Sequence, residues 1–199
     1  MIAESTAIMQ GKMSQLSPLP WFQRTFAFNR KLEEAPNIIS RLSGAPARLK
    51  DITSGVEERV LRRRPIGADG KLVWGVFDHA GHLADIDDLH ARRFREFVEG
   101  VEQLSPADPE NKITTAAHYN RLPLAPIIER FRIERTTTTN YLSALPIDAF
   151  ASTATHPRLK KSIRLIDYME FVAEHDDHHL ATIRDLIWNP ARYQIPVPV

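Results

Sequence analysis

The stretch Glu174-His175-Asp176-Asp177-His178-His179-Leu180 lies near the end of a helical pattern running from Lys161 to Trp188, and it holds three of the chain's eight histidines. His175 and His179 are four residues apart, so on a helix both imidazoles point the same way, one turn from each other. Leu165, Tyr168, Phe171, Val172, Ile183 and Leu186 fall on that side of the helical wheel, and Glu170, Asp177 and Arg184 fall opposite. The histidine pair therefore faces an apolar interior, where an unpartnered polar group is costly. Two imidazoles stacked in this way can share one divalent metal ion.

The same periodicity recurs outward from this segment. Long helices are expected over Leu72–Val101 and Leu122–Leu145, the latter offering Ile127, Ile128, Phe131, Ile133, Tyr141 and Leu142 to a core. Upstream, Glu33–Arg41 reads as helix with Pro36 in its first turn, Gly44 and Pro46 interrupt it, and Leu49–Leu61 continues with Ile52, Val56 and Val60 on one face. Trp21–Phe28 reads as a short helix or a strap on the bundle. Arg62–Lys71, Ser105–Asn111 and Pro146–Arg158 read as loops, and there is no repeat and no convincing strand pair. Four amphipathic helical stretches joined by one or two long connections make an all-α fold, a four-helix bundle. The expected organisation is a loose N-terminal arm over 1–19, a bundle over 20–190 and a tail over 191–199.

Composition narrows the chemistry. At 199 residues the chain is most simply one domain, and its net charge of +1 gives no argument for nucleic acid or an anionic membrane. It contains no cysteine, which excludes disulfides, thiolate metal ligands and a cysteine nucleophile. Any metal must be held by His, Asp, Glu or backbone oxygen. No stretch approaches the ~20 apolar residues of a membrane span and no basic-then-apolar leader opens the chain, so the expectation is a soluble, cytoplasmic protein. The aromatic residues near the termini (Trp21, Phe22, Phe26, Phe28, Trp188 and Tyr193) point either to a homodimer along the bundle helices or to cover for the bundle within one chain.

A metal site in a bundle draws ligands from facing helices. His82, in Gly81-His82-Leu83-Ala84-Asp85, supplies a third imidazole from the second long helix, with His79 and His90 competing for that role. Three neutral histidines leave coordination positions open, the pattern of a catalytic rather than a closed structural site. Such an ion keeps its full charge and lowers the pKa of a bound water or thiol. The ordinary alternative is that a buried histidine is a hydrogen-bonded core residue. The pair also lacks the adjacent glutamate of the HExxH zinc-protease signature, which disfavours that mechanism. Asp85 and Asp176 are candidate catalytic carboxylates, able to orient a histidine or act as a base, beside the plainer reading of helix-surface carboxylates. His178 reads as exposed, His118 and His156 as loop residues outside the ligand set, Arg59 and Arg62–Arg64 as a solvated basic face, and Thr136–Thr139 as helix surface.

Taken together, Trp74, Gly81-His82-Leu83-Ala84-Asp85 and, about ninety residues later, His175-Asp176-Asp177-His178-His179-Leu180 resemble the DinB-like (DinB/YfiT-type) metalloenzyme superfamily. Arg41-Leu42-Ser43-Gly44-Ala45-Pro46-Ala47-Arg48-Leu49 resembles the end of that group's first helix, and His156-Pro157-Arg158-Leu159 the segment entering its last. The resemblance covers roughly residues 20 to 188. It implies an up-down-down-up bundle with long crossover connections and a site of His82, His175 and His179 carrying zinc, nickel or another divalent ion. It also implies metal-dependent hydrolysis, or transfer or isomerisation using a low-molecular-weight thiol, on a small-molecule substrate. Because the chain has no cysteine, such a thiol must be diffusible. The competing function is a non-enzymatic bundle, a binding or stress protein whose metal is structural or adventitious. An ion reachable from a solvent-open pocket favours the enzyme.

Overall fold

The computed structural model describes residues 17–67, 69–193 and 195. The expected N-terminal arm lies outside them up to residue 16, as does most of the expected tail. The helices are α1 (Ala35–Ser43), α2 (Ala45–Thr53), α3 (Glu58–Leu61), α4 (Val76–Glu99), α5 (Lys112–Ala116), α6 (Leu124–Ser143) and α7 (Leu165–Trp188). One hairpin joins β1 (Thr153–His156) to β2 (Lys161–Arg164).

Four arms make the bundle: α1 with α2, then α4, α6 and α7. Their directions follow from who meets whom. Arg30 pairs with Glu170, Arg41 with Glu174 and Asp177, and Arg48 with Asp177, so the first arm runs parallel to α7. His82 faces His175 and His90 faces Tyr168, so α4 and α7 are antiparallel. Asp85 meets Arg130 and Asp87 meets Arg135, so α4 and α6 are parallel. Ile38 packs in the same cluster as Leu142 and Leu49 in the same cluster as Ile127, so the first arm opposes α6. The course is up-down-down-up.

Two apolar clusters fill the bundle. One is built on Ile38, Leu42, Phe94, Phe97, Leu142, Leu165, Tyr168, Met169 and Val172. The other is built on Leu49, Val76, Phe77, Leu83, Ile127, Phe131, Leu180 and Ile183. A polar layer lies between them. Arg135, 1% exposed, donates to both carboxylate oxygens of Asp176, to Asp87 Oδ1 at 2.8 Å and to the Leu42 carbonyl at 3.1 Å. That carbonyl is free because residue 46, which would supply its helical donor, is proline. One guanidinium thus ties all four arms.

The sequence expectations for helix ends shift by a few residues. Leu72–Trp74 stays outside α4, and Gly100, at φ +74°, ends α4 in the left-handed conformation that glycine adopts freely. The stretch expected as helix over Leu49–Leu61 breaks at Ser54-Gly55 into α2 and α3. Ile133, assigned to the core from periodicity, is 53% exposed on the outer face of α6. Thr138 and Thr139, read as surface with their neighbours, are buried, while Thr136 and Thr137 are exposed.

The clearest correction is the hairpin, since no strand pair was expected. Lys161–Arg164, taken as the start of the last helix, pairs antiparallel with Thr153–His156, placing Ala154 opposite Ile163, both buried. Thr155 also ties the hairpin to the chain after α4, donating its N–H to the Glu102 carbonyl and accepting from the Leu104 N–H. Of the terminal aromatics, Trp21, Phe26, Phe28 and Tyr193 pack on the two clusters, whereas Phe22 and Trp188 are exposed at 79% and 62%.

If Arg135 joins the arms, Arg135→Ala must strand two buried carboxylates. The expected loss is about 3–5 kcal/mol of unfolding free energy in urea titration. A loss below about 1 kcal/mol would show that the layer is dispensable.

Candidate metal centre

α4 and α7 bring His82, His175 and His179 together inside the bundle, all three buried, with one ring nitrogen from each within 4.8 Å of the others. The Nε2 atoms converge. His175 Nε2 lies 3.4 Å from His82 Nε2 and 3.1 Å from His179 Nε2. Ligands of one tetrahedral ion with bonds of about 2.0–2.1 Å sit about 3.3 Å apart, so this spacing fits a shared divalent cation. Among the three candidates on α4, the triad takes His82.

The other ring nitrogens explain how the lone pairs come to face inward. Thr114 donates its hydroxyl hydrogen to Asp85 Oδ2 at 2.8 Å, which leaves Thr114 Oγ1 to accept from His82 Nδ1 at 3.5 Å. His179 Nδ1 is 2.8 Å from His79 Nδ1. In both cases a proton on Nδ1 leaves Nε2 as an acceptor. His175 Nδ1 is buried with no partner among the described residues. The Nε2 lone pairs of His82 and His179 both face His175 Nε2, a crowding of ring nitrogens that a shared cation would satisfy.

The motif Gly81-His82-Leu83-Ala84-Asp85 acquires a physical account here. A Cβ on Gly81 would lie 2.1 Å from a Tyr119 ring carbon, so only glycine admits that ring. Tyr119 in turn donates to Asp85 Oδ1 at 2.7 Å, and Arg130 donates to the same oxygen at 2.9 Å. Asp85 and Asp176 are therefore not helix-surface carboxylates. Asp85 is held by Thr114, Tyr119 and Arg130, and Asp176 is bound by Arg135. Neither lines the pocket described next.

A pocket of about 600 Å³ opens onto the three histidines. Trp74 flanks one side, its ring 4.9 Å from that of His82, and Trp21 flanks the other, 5.0 Å from His175. His178, expected to be exposed, is half-buried, stacks near Trp21 at 5.8 Å and lines the pocket. His156, set aside as a loop residue, is buried on β1 and lines the pocket with His90 and Arg93. A four-residue strand carries too little pattern to reveal this. In the Arg59 and Arg62–Arg64 cluster, Arg59 pairs with Glu57, Arg62 with Glu58 and the Asn120 carbonyl, and Arg64 with Asp78, and none of the four lines the pocket.

Comparison with known proteins accords with this geometry. The profile of the DinB superfamily matches residues 41–183. The chain belongs to the DinB superfamily. Among solved structures it is similar to YfiT from Bacillus subtilis, described as a probable metal-dependent hydrolase with an unusual four-helix bundle topology. The TM-score is 0.69 at 21% identity, over 84% of this chain and 94% of that one. It is also similar in fold to a mycothiol-dependent maleylpyruvate isomerase, with a TM-score of 0.60 at 11% identity, over 80% of this chain and 63% of that one. Comparison with curated protein sequences gives no match. Among the described residues, no helix is long and apolar enough to cross a membrane.

Burial holds the site's histidines neutral. It pushes His82 down to about 4 and His79 to about 3, and His175, His179 and His90 well below their ordinary value, with neighbouring imidazoles or cations adding to the effect. Neutral imidazoles are the form that ligates a metal. Because each folded-state value lies below the unfolded value of about 6.5, the unfolded chain takes up protons first as pH falls. Stability of the chelated protein should be level above pH 7. It should then drop steeply between about pH 6 and pH 4, with a slope exceeding roughly two protons per molecule in denaturant titrations. A flat profile across that window would show that these histidines are not held neutral.

Proposed function

We propose that this protein is a metal-dependent enzyme in which His82, His175 and His179 hold one divalent ion, zinc or nickel, at the floor of a small-molecule pocket. The observation that carries the reading is the convergence of three buried Nε2 atoms at the base of a pocket of about 600 Å³. When bound, the ion supplies Lewis acidity that lowers the pKa of a thiol or a water nucleophile. The chain's own residues do the rest. Thr114 with Asp85 orients His82, and His79 orients His179. Asp176 acts through the fold, fixing the turn of α7 beside His175 by its pair with Arg135. Trp21 and Trp74 exclude water from the two flanks and give an organic substrate apolar walls.

The reaction is transfer or hydrolysis on a small molecule, with a low-molecular-weight thiol or water as nucleophile. The similar folds of a probable metal-dependent hydrolase and a mycothiol-dependent isomerase support that pair of chemistries. The alternative, a binding or stress protein with a structural metal, would be favoured by an ion sealed under a packed core. The pocket that opens onto the triad speaks for the enzyme.

His175→Ala should abolish stoichiometric zinc or nickel in elemental analysis of untagged protein, while His178→Ala should retain it. Asp85→Asn should weaken metal affinity by about 10–100-fold. Activity found in a screen of small thiols with electrophilic acceptors, alongside esters and amides, should vanish on chelation and return with metal. Metal bound equally by wild type and His175→Ala would overturn the ligand assignment.

Assembly is a homodimer along the bundle helices, supported by exposed Trp188 at the end of α7. Light scattering should give twice the chain mass. A mass near 22.7 kDa across micromolar concentrations would rule a stable dimer out.

A further inference from the structure

One wall of the pocket, which adjoins the triad at His90 with its ring 5.8 Å from that of His175, consists of hydrogen-bond donors without an anion to receive them. Arg93 is 3% exposed, yet no carboxylate among the described residues pairs with it. Its Nε and Nη2 donate to the Ser105 carbonyl at 2.8 and 2.6 Å, and its Nη1 donates to the Tyr168 hydroxyl at 3.1 Å. Glu96, one helical turn away, is taken up by the Ser105 N–H and hydroxyl. A buried guanidinium satisfied by neutral oxygens alone keeps an uncompensated charge.

The tautomers of two neighbours follow from their partners. Since the Tyr168 oxygen accepts from Arg93, its own hydrogen goes to His90 Nδ1 at 2.8 Å, and His90 carries its proton on Nε2. That Nε2 is buried and has no partner among the described residues. His156 Nδ1 accepts the Leu159 N–H at 3.2 Å, which closes the hairpin turn and likewise leaves the proton on Nε2. His156 Nε2 lies 3.5 Å from Arg93 Nη1, so two donors face each other there. At the mouth, Arg158 lies over the rings of Trp21, Phe22 and Phe171 at 5.2–5.8 Å with no carboxylate among the described residues, and Lys160 stands beside it on the lining. The one carboxylate of the lining among the described residues, Asp108, already accepts the backbone N–H groups of Glu110 and Lys112.

From this we infer that the pocket selects a small molecule bearing a carboxylate, held by Arg93 and His156, and by His90 where that wall adjoins His175, and drawn in by Arg158. The inference rests on the small-molecule reading of the pocket and names its substrate class. It asks for an acceptor with two oxygens, which a carboxylate supplies to neighbouring N–H donors.

The test is calorimetric titration of the full chain, metal-loaded and chelated, with succinate, with its neutral analogue succinamide and with inorganic phosphate. Succinate should bind both forms at least tenfold more tightly than succinamide and more tightly than phosphate. Because Arg93→Ala strips a buried network and endangers folding, the exposed Arg158→Glu is the primary variant. It should weaken succinate at least tenfold with metal content unchanged. Long-range proton–nitrogen spectra should show His90 and His156 as Nε2–H tautomers whose signals move with succinate. Equal binding of succinate and succinamide, no binding of either, tighter phosphate, an unaffected Arg158→Glu, or Nδ1–H tautomers would each overturn the inference. A chain that takes up no metal but still prefers succinate would sink the metal reading alone. Metal uptake without succinate preference would sink the carboxylate reading alone.

Discussion

The structure depends on one buried cation. Arg135 reaches Asp87 on α4, Asp176 on α7 and the Leu42 carbonyl at the α1–α2 junction from its own place on α6. Desolvating a guanidinium and two carboxylates costs several kcal/mol per ion, so this layer is no simple gain in stability over an apolar core. What it gives is register. An apolar core tolerates helices sliding by a fraction of a turn, whereas a fork of fixed N–H donors meets its three acceptors in one alignment only. Asp176 is the residue after His175, so the alignment that satisfies Arg135 also sets where the histidines on α7 stand. Pro46 takes part by withholding a donor, since the freed Leu42 carbonyl is the third acceptor.

That constraint explains why the bundle has two apolar clusters rather than one. The polar layer and the histidine site occupy the middle of α4 and α7, and the clusters close the bundle above and below. A metal site placed between two packed ends is held by rigid helices and not by loops. Its ring orientations are then fixed by side chains such as Thr114, Asp85 and His79, which the helices and α5 carry into place.

Much of this was legible in the sequence because it rests on periodicity. The long helices and the shared face of His175 and His179 follow from a 3.6-residue repeat, while on α4 that repeat left His79, His82 and His90 open and only the resemblance of Gly81–Asp85 to the DinB-like superfamily pointed to His82. What periodicity averages away was lost. Ile133 fits the apolar pattern of α6 but turns outward, and Arg135, two residues on, points inward because its partners lie on other helices. The hairpin was missed because four-residue strands carry almost no pattern and Lys161–Arg164 runs straight into α7. With it went His156, whose position beside Arg93 comes from pairing with residues nearly adjacent in sequence but reversed in direction. Thr114 and Tyr119 were invisible for another reason. The contact of Tyr119 with Asp85 depends on Gly81 lacking a side chain, and a sequence shows that glycine without showing what fills the space, while Thr114 reaches Asp85 from a separate short helix, α5.

The pocket uses histidine in two opposite ways, and the choice is made at Nδ1. Where Nδ1 donates, as from His82 to Thr114, Nε2 turns a lone pair inward and suits a cation. Where Nδ1 accepts, as in His90 from Tyr168 and in His156 from the Leu159 N–H, Nε2 turns a proton inward and suits an anion. No net charge on any imidazole is needed for this, and burial keeps His82 and His156 neutral alike. One residue type thus builds both sides of a single cavity, acceptors at the triad and donors on the wall that carries His90, Arg93 and His156. A ligand with a nucleophilic or metal-seeking end and an anionic end is aligned by that polarity before any chemistry begins. Reversing it would leave lone pairs against a carboxylate and protons against a metal, so the pocket's direction is set by the hydroxyl of Tyr168, the hydroxyl of Thr114 and one turn of backbone.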